Sequence, residues 1–129
     1  MSHKPVQAAN LPKPVGPYSP GMGFERLVFV SGQAGVDPST GTLAPDTQAQ
    51  TEQCLKNIQS ALAEAGSSLR DVVRVTYVLP DAGEFPQCWP ILRKYFAEVR
   101  PAAMMISAGL ADPRMRIEIE VTARRQAGS

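Results

Sequence analysis

Residues 50–79, QTEQCLKNIQSALAEAGSSLRDVVRVTYVL, change from helical to strand-like patterning within one stretch. Apolar residues first recur at helical spacing, at Cys54, Leu55, Ile58, Ala61, Leu62 and Ala65. The spacing predicts a helix with Asp46 or Thr47 as its N-cap and an end at Gly66. The last part, VVRVTYVL (72–79), is rich in β-branched residues and predicts a buried strand.

Further elements are predicted on both sides of this helix–strand unit. The patterns favour strands at RLVFVSG (26–32), at 103–108 and at MRIEIEVTARR (115–125), and a shorter helix from about Phe85 to Val99. Segment 11–23, which is rich in proline and glycine, is typical of an ordered loop. The polar start before it, which carries the lone histidine His3, is expected to be mobile.

The order strands, helix, strand, helix, strand, strand predicts an α+β sandwich, a mixed β-sheet with two helices packed on one face. Apolar residues alternate with polar ones along 115–125, so one face of that strand belongs to the core and the other carries charge. A length of 129 residues fits one domain, and we predict a single domain over residues 1–129.

The strands at 72–79 and 103–108 do not alternate. They are apolar on both faces except at Arg74, Thr76 and Ser107. Two helices can cover only one face of a sheet, so an apolar face is left over. We therefore predict a homo-oligomer in which another copy of the chain covers this face.

Composition excludes several classes of function. The net charge is +1 without runs of Lys or Arg, which argues against nucleic acid and membrane partners. No apolar run approaches the roughly 18 residues of a membrane span, and the start has no signal-peptide core, so we expect a cytoplasmic protein. A lone histidine makes imidazole catalysis and His-rich metal sites implausible.

Several stretches in order resemble one family. VGPYSPG (15–21), VFVSGQAGVDPSTGTL (28–43), the stretch at 50–79 and IEIEVTARR (117–125) resemble the reactive intermediate deaminase family, also called Rid or YjgF. The resemblance implies a chorismate-mutase-like fold, assembled as a homotrimer with small-molecule clefts between subunits. It also implies hydrolysis of reactive 2-imino or enamine acids to 2-keto acids and ammonia, without metal or organic cofactor.

Four residues match the family's site. Tyr18 matches the aromatic residue that lines the cleft, and Ser31 and Gly32 match the turn at its floor. Glu120 matches the carboxylate near the attacking water, which suits a general base. Ser31 has no neighbouring base in sequence, so we expect it to donate a hydrogen bond rather than attack as a nucleophile.

Three positions depart from the family's pattern. Ala103 stands where the deaminases carry an arginine that binds the substrate carboxylate, Met105 replaces a cysteine and Trp89 replaces an asparagine. Trp89 and Met105 either make the cleft more apolar, for a bulkier and less anionic substrate, or simply fill space. Arg116 is the candidate substitute for the missing arginine, because it is predicted to share a strand face with Glu118 and Glu120. In the alternative interpretation it pairs with those acids or faces solvent.

The two cysteines are expected to be structural. Cys54 lies on the core stripe of the first helix, and Cys88 lies near the start of the second, where a thiolate could be stabilised.

Three hypotheses on function follow. The first is a hydrolytic deaminase of imine or enamine intermediates, with a substrate other than simple 2-imino acids. The second is a non-catalytic trimer that binds a small molecule or a partner. The third, an endoribonuclease or translation inhibitor, is disfavoured because the sequence offers neither a basic patch nor a pair of histidines.

Overall fold

The structure, a computed structural model, describes residues 3–6, 11, 13 and 16–126. The strands are β1 (His3–Pro5), β2 (Gly21–Phe24), β3 (Leu27–Ala34), β4 (Val72–Leu79), β5 (Ala102–Ser107) and β6 (Glu118–Arg124), and the helices are α1 (Thr47–Glu64) and α2 (Phe85–Phe96). The sheet order is β1-β2-β3-β6-β4-β5, with β4 and β5 parallel and the other neighbours antiparallel. This is the predicted mixed sheet with two helices.

The core lies between the helices and one face of the sheet. Alternate residues of β6, such as Ile119 and Val121, are buried together with Leu55, Ile58 and Leu62 of α1. The alternation seen in the sequence therefore does separate a core face from an exposed face.

Helix α1 begins and ends where its pattern predicted. The Asp46 side chain accepts a hydrogen bond from the Ala49 amide at 2.8 Å, which makes Asp46 the N-cap. Gly66 follows the helix with a φ of +75°, a left-handed conformation that glycine adopts at little cost.

The prediction for the start of the chain was wrong at two places. His3 lies in β1, which pairs with β2, instead of in a mobile tail. The end of the predicted loop 11–23 forms β2, which pairs with β3. Gly21 suits this strand because a β-carbon there would lie 2.7 Å from the carbonyl oxygen of Phe29.

Two further boundaries differ from the prediction. β6 begins at Glu118, so Arg116 precedes the strand and does not share its face with Glu118 and Glu120. Helix α2 ends at Phe96, because the amides of Val99 and Arg100 both bond the Phe96 carbonyl and close a turn. Trp89, expected on the apolar stripe of this helix, is 45% exposed.

The face of the sheet opposite the helices, here called the open face, carries exposed apolar side chains, two acids and two arginines: Leu27, Phe29, Met104, Ile106, Glu118, Glu120, Arg74 and Arg124. The four apolar residues are 40–45% exposed. They form the surplus apolar face that the sequence predicted. In the described part of the chain, no helix has the length and hydropathy needed to span a bilayer.

Candidate functional site

A β-bulge lies where β3 pairs with β6. Val30 pairs with Val121 and Gln33 pairs with Ile119, so that Ser31 and Gly32 together lie opposite the single residue Glu120. Such a bulge bends the strand and changes the direction of its side chains, and bulges are frequent beside active sites.

The bulge is connected to the loop that carries Tyr18. The Ser31 hydroxyl donates to the Ser19 carbonyl at 2.6 Å, and the Ser31 amide donates to the Pro20 carbonyl at 2.8 Å. These two bonds fix the residues that directly follow Tyr18. Tyr18 itself is 55% exposed, so it is accessible to a ligand.

An open cleft of roughly 560 Å³ lies between this loop and the sheet. Its lining includes Tyr18, Ser19, Met22, Phe29, Ser31 and Glu120, and we call it the Tyr18 cleft. Three residues that the family resemblance nominated, Tyr18, Ser31 and Glu120, are thus brought together within one chain. Glu120 is the one charged side chain among the described residues of this lining.

Glu118 is a neighbour of the cleft that sequence reasoning did not nominate. It lies two residues before Glu120 on the open face and is partly buried. Burial, and secondarily the charge of Glu120, raise the pKa of Glu118 above its ordinary value. Gly32 makes room for it, because a β-carbon on Gly32 would collide with the Glu118 carboxylate. The alternation of apolar and charged residues along β6 was the sequence signal that could have indicated Glu118 as a second acid beside Glu120.

Ala103 and Met105 lie elsewhere in the chain, on edge strand β5. β5 is three strands away from β3, which is roughly 14 Å at the usual strand spacing. Ala103 pairs with Val75, and Met105 pairs with Tyr77 and packs partly buried against the core. Within one chain they do not reach the Tyr18 cleft, so their assignment to a cleft between subunits stays a prediction.

Trp89 belongs to the same side of the molecule as β5. Its ring contacts Phe85 edge-on at a centroid distance of 6.2 Å, and Phe85 contacts Tyr77 at 5.3 Å. The predicted site residues therefore form two groups within the chain, one around Glu120 and one around β5.

Arg116 has a structural partner. Its guanidinium bonds the Glu84 carboxylate at 3.0 Å, and its amide donates to the Gln50 side chain at 2.7 Å. Glu84 also accepts the hydroxyl of Thr47, the first residue of α1. The pairing of Arg116 with Glu118 or Glu120 that the sequence suggested is therefore wrong, and Arg116 instead connects the segment before β6 with the starts of both helices.

Neither cysteine is presented to solvent. Cys54 and Cys88 are fully buried. Burial raises the pKa of Cys88 and raises that of Cys54 strongly, which keeps both as thiols. Both fit the structural role expected for them. No group of three or more residues that could ligate a metal occurs within the described ranges.

The sequence matches the endoribonuclease L-PSP family over residues 8–125. The chain belongs to this family, which is also called Rid or YjgF. It is 35% identical to a RutC family protein of Pyrococcus abyssi, over 98% of this chain and 100% of that relative. It is 34% identical to the human 2-iminobutanoate/2-iminopropanoate deaminase, over 92% of this chain and 87% of the human protein.

A solved structure confirms the fold. A Thermotoga maritima protein described as a candidate endoribonuclease superposes with a TM-score of 0.91 at 34% identity, over 98% of this chain and all of that one. The names of these relatives thus include both deaminase and endoribonuclease activities.

Proposed function

We propose that this Rid-family chain is a hydrolytic deaminase, which converts reactive imine or enamine intermediates into a carbonyl compound and ammonia. The observation that carries the proposal is the Tyr18 cleft, in which the carboxylate of Glu120 lies opposite the bulge at Ser31 and Gly32. Relatives named imine deaminases, about one-third identical over nine-tenths of the chain, support it.

A single carboxylate suffices for this reaction, because the carbon of an imine is already electrophilic. The Glu120 carboxylate accepts a proton from water as the water oxygen bonds to that carbon, and the imine nitrogen takes a proton from solvent. The resulting carbinolamine nitrogen then takes the proton from Glu120. The C–N bond breaks, ammonia leaves, and the hydroxyl proton is released as the carbonyl forms.

Ser31 positions the site in this proposal. Its hydroxyl hydrogen is directed to the Ser19 carbonyl, so toward a ligand the oxygen can act only as an acceptor. The hydroxyl thus donates a hydrogen bond, as the sequence predicted, and it can also accept one from an N–H group of the substrate. With Tyr18 as an aromatic wall, the cleft holds a planar imine beside Glu120.

The substrate differs from a simple 2-imino acid in this proposal, because Ala103 replaces the arginine that binds the carboxylate in the deaminases that the sequence resembles. A charge-assisted hydrogen bond contributes about 1.5–3 kcal/mol, so its loss weakens binding by about 10-fold to 200-fold. Arg116 is engaged by Glu84, which argues against its acting as a substitute.

The proposed assembly is a homotrimer with its clefts between subunits and without metal or organic cofactor. The exposed apolar residues of the open face support an assembly, since they need a cover. In such a trimer Ala103, Met105 and Trp89 of a neighbouring copy would complete the cleft. Light scattering at micromolar concentration tests this, and a clean monomer would contradict it.

The alternative is a trimer that binds a small molecule without converting it. Ala103 is the observation that favours it, because the loss of the arginine removes the family's usual hold on substrate. This alternative predicts ligands that raise the melting temperature without being consumed.

An RNA-cleaving activity has less support. The described residues that line the cleft include neither a basic side chain nor a histidine to act on a phosphodiester. RNA cleavage that survives rigorous purification and disappears in Glu120→Gln would establish it.

The decisive assay measures ammonia and carbonyl release from a panel of imines. Imino acids are generated with an amino-acid oxidase, and carboxylate-free ketimines are prepared chemically. The proposal expects acceleration over the spontaneous rate with at least one class. Absence of acceleration with every imine, neutral ones included, would discard it.

A further inference from the structure

We propose that the Tyr18 cleft takes an imine without a carboxylate, in its protonated iminium form, with an apolar or aromatic substituent. This inference rests on the proposed function and names its substrate class. The cleft would then receive a cationic substrate, whereas a 2-imino acid carries an anionic carboxylate.

The charge of the cleft is the first argument. Glu120 is the one charged residue that lines it within the described chain, and no lysine or arginine does so. A substrate carboxylate would meet a like charge at close range, which disfavours its binding. An iminium N–H group can instead donate a charge-assisted hydrogen bond to Glu120.

Glu118 adds a second acid beside the first. It lies on the open face two residues from Glu120, and the charge of Glu120 contributes to the raised pKa of Glu118. The two carboxyl groups therefore act on each other across this surface. A bound cation relieves their repulsion, whereas a bound anion adds to it.

The walls of the cleft suit an apolar cation. Tyr18 and Phe29 are 55% and 42% exposed, and Met22 lies in the same lining. Aromatic faces attract cations through the ring quadrupole and also pack against flat apolar groups. An aryl or alkyl ketimine offers both features.

Three arginines of the described chain pair with acids that do not line the cleft. Arg116 pairs with Glu84, Arg114 with Asp112 and Arg124 with Asp71. Position 103 carries alanine. The described residues that line the cleft thus include no arginine in place of the missing carboxylate clamp.

The chemical step conserves charge. The iminium carbon accepts the water oxygen, one water proton passes to Glu120, and the C=N electron pair moves to nitrogen, which gives a neutral carbinolamine. Glu120 returns its proton to nitrogen, the C–N bond breaks, and the hydroxyl proton leaves as the carbonyl forms. The net reaction is iminium plus water to ketone plus ammonium.

Two ketimines that differ in one group provide the test. Acetophenone imine carries a methyl group where 2-imino-2-phenylacetate, made from phenylglycine with an amino-acid oxidase, carries the carboxylate. We expect wild-type kcat/KM to favour the methyl compound by about 10-fold or more, and Ala103→Arg to shift the preference toward the carboxylate compound by a similar factor.

A binding measurement separates this inference from the proposed function. Calorimetry compares 1-phenylethylammonium, a cation that cannot be hydrolysed, with benzoylformate, an anion with the same ring. Tighter binding of the ammonium that is weakened in Glu120→Gln supports the inference, even if neither imine is hydrolysed and the proposed function fails. Preferred hydrolysis of 2-imino-2-phenylacetate, or tighter binding of benzoylformate, overturns the inference and leaves the proposed function standing.

Discussion

Gly35 lies directly against the backbone of Gln50 in helix α1, so close that a β-carbon on Gly35 would stand 2.5 Å from the Gln50 Cα. Gln50 is buried and connects two loops to the helix. Its side-chain nitrogen Nε2 donates hydrogen bonds to the backbone carbonyls of Ala44 and Arg114, at 3.0 and 3.1 Å. The close contact at Gly35 therefore holds β3 and α1 together just beyond the bulge that faces Glu120.

Gly35→Ala is expected to lower the free energy of unfolding by about 1–3 kcal/mol, because backbone atoms of a buried helix cannot move aside cheaply. Gly109→Ala is the matched control, since no atom lies within 4 Å of its added β-carbon. Urea denaturation measures both. Equal stability of the two variants would contradict the described packing of β3 against α1.

Glu118→Gln is expected to stabilise the chain at neutral pH. Folding raises the pKa of Glu118, so the folded state holds the proton more tightly and stability falls as pH rises above the ordinary value of 4.5. Glutamine cannot ionise and escapes this cost, which partial exposure limits to about 1 kcal/mol. Urea denaturation at pH 7 and pH 4 should show the gain at pH 7 only, and an equal gain at both would point to packing instead.

Asp71 is expected to contribute stability that is lost in acid. Hydrogen bonds from Gln126 and Ser68, followed by Arg124, hold the pKa of Asp71 below its ordinary value of 3.8. The ionised form is therefore favoured in the folded state, and this contribution is present above pH 3.8 and disappears as pH falls through the lowered pKa.

Asp71→Asn should accordingly cost about 1–3 kcal/mol at pH 7 and less in strong acid. Asp112→Asn is the control, because Asp112 forms an exposed pair with Arg114 and such pairs contribute little. Chemical denaturation across pH 2–7 measures the free energy of unfolding of both variants. Equal losses in the two variants would contradict the described hydrogen bonds of Asp71.

The cysteines provide a labelling prediction. Because Cys54 and Cys88 are fully buried and their pKa values are raised, native protein should react with a thiol reagent far more slowly than unfolded protein. In urea two thiols per chain should react promptly. Prompt reaction of one thiol in native protein would show that Cys88 or Cys54 is accessible.

The long periodic segments of the fold were predictable from sequence. The apolar stripe of α1, the N-cap at Asp46 and the alternation of β6 are local patterns, and each matches the structure. β1 and β2 were not predicted, because three or four residues rich in Pro and Gly carry no periodic signal. Their pairing is fixed by distant partners on β3.

The candidate site likewise has residues that the sequence predicted and contacts that it did not. Tyr18, Ser31 and Glu120 were nominated by motif, and the bulge that aligns two of them was invisible because it depends on the register between β3 and β6. The true partner of Arg116 is Glu84, 32 positions earlier in sequence. Only the folded chain brings those two side chains together, and the role of Arg116 changes with that contact.

The proposed deaminase reaction depends on the carboxylate of Glu120, and its removal tests the proposal most directly. We predict that Glu120→Gln lowers kcat/KM for imine hydrolysis by about 100-fold or more, with an unchanged melting temperature, because a glutamine cannot accept the water proton. Glu98→Gln, which alters an exposed acid in the turn after α2, should keep full activity. Imine hydrolysis at the wild-type rate in Glu120→Gln would contradict the central role of this cleft.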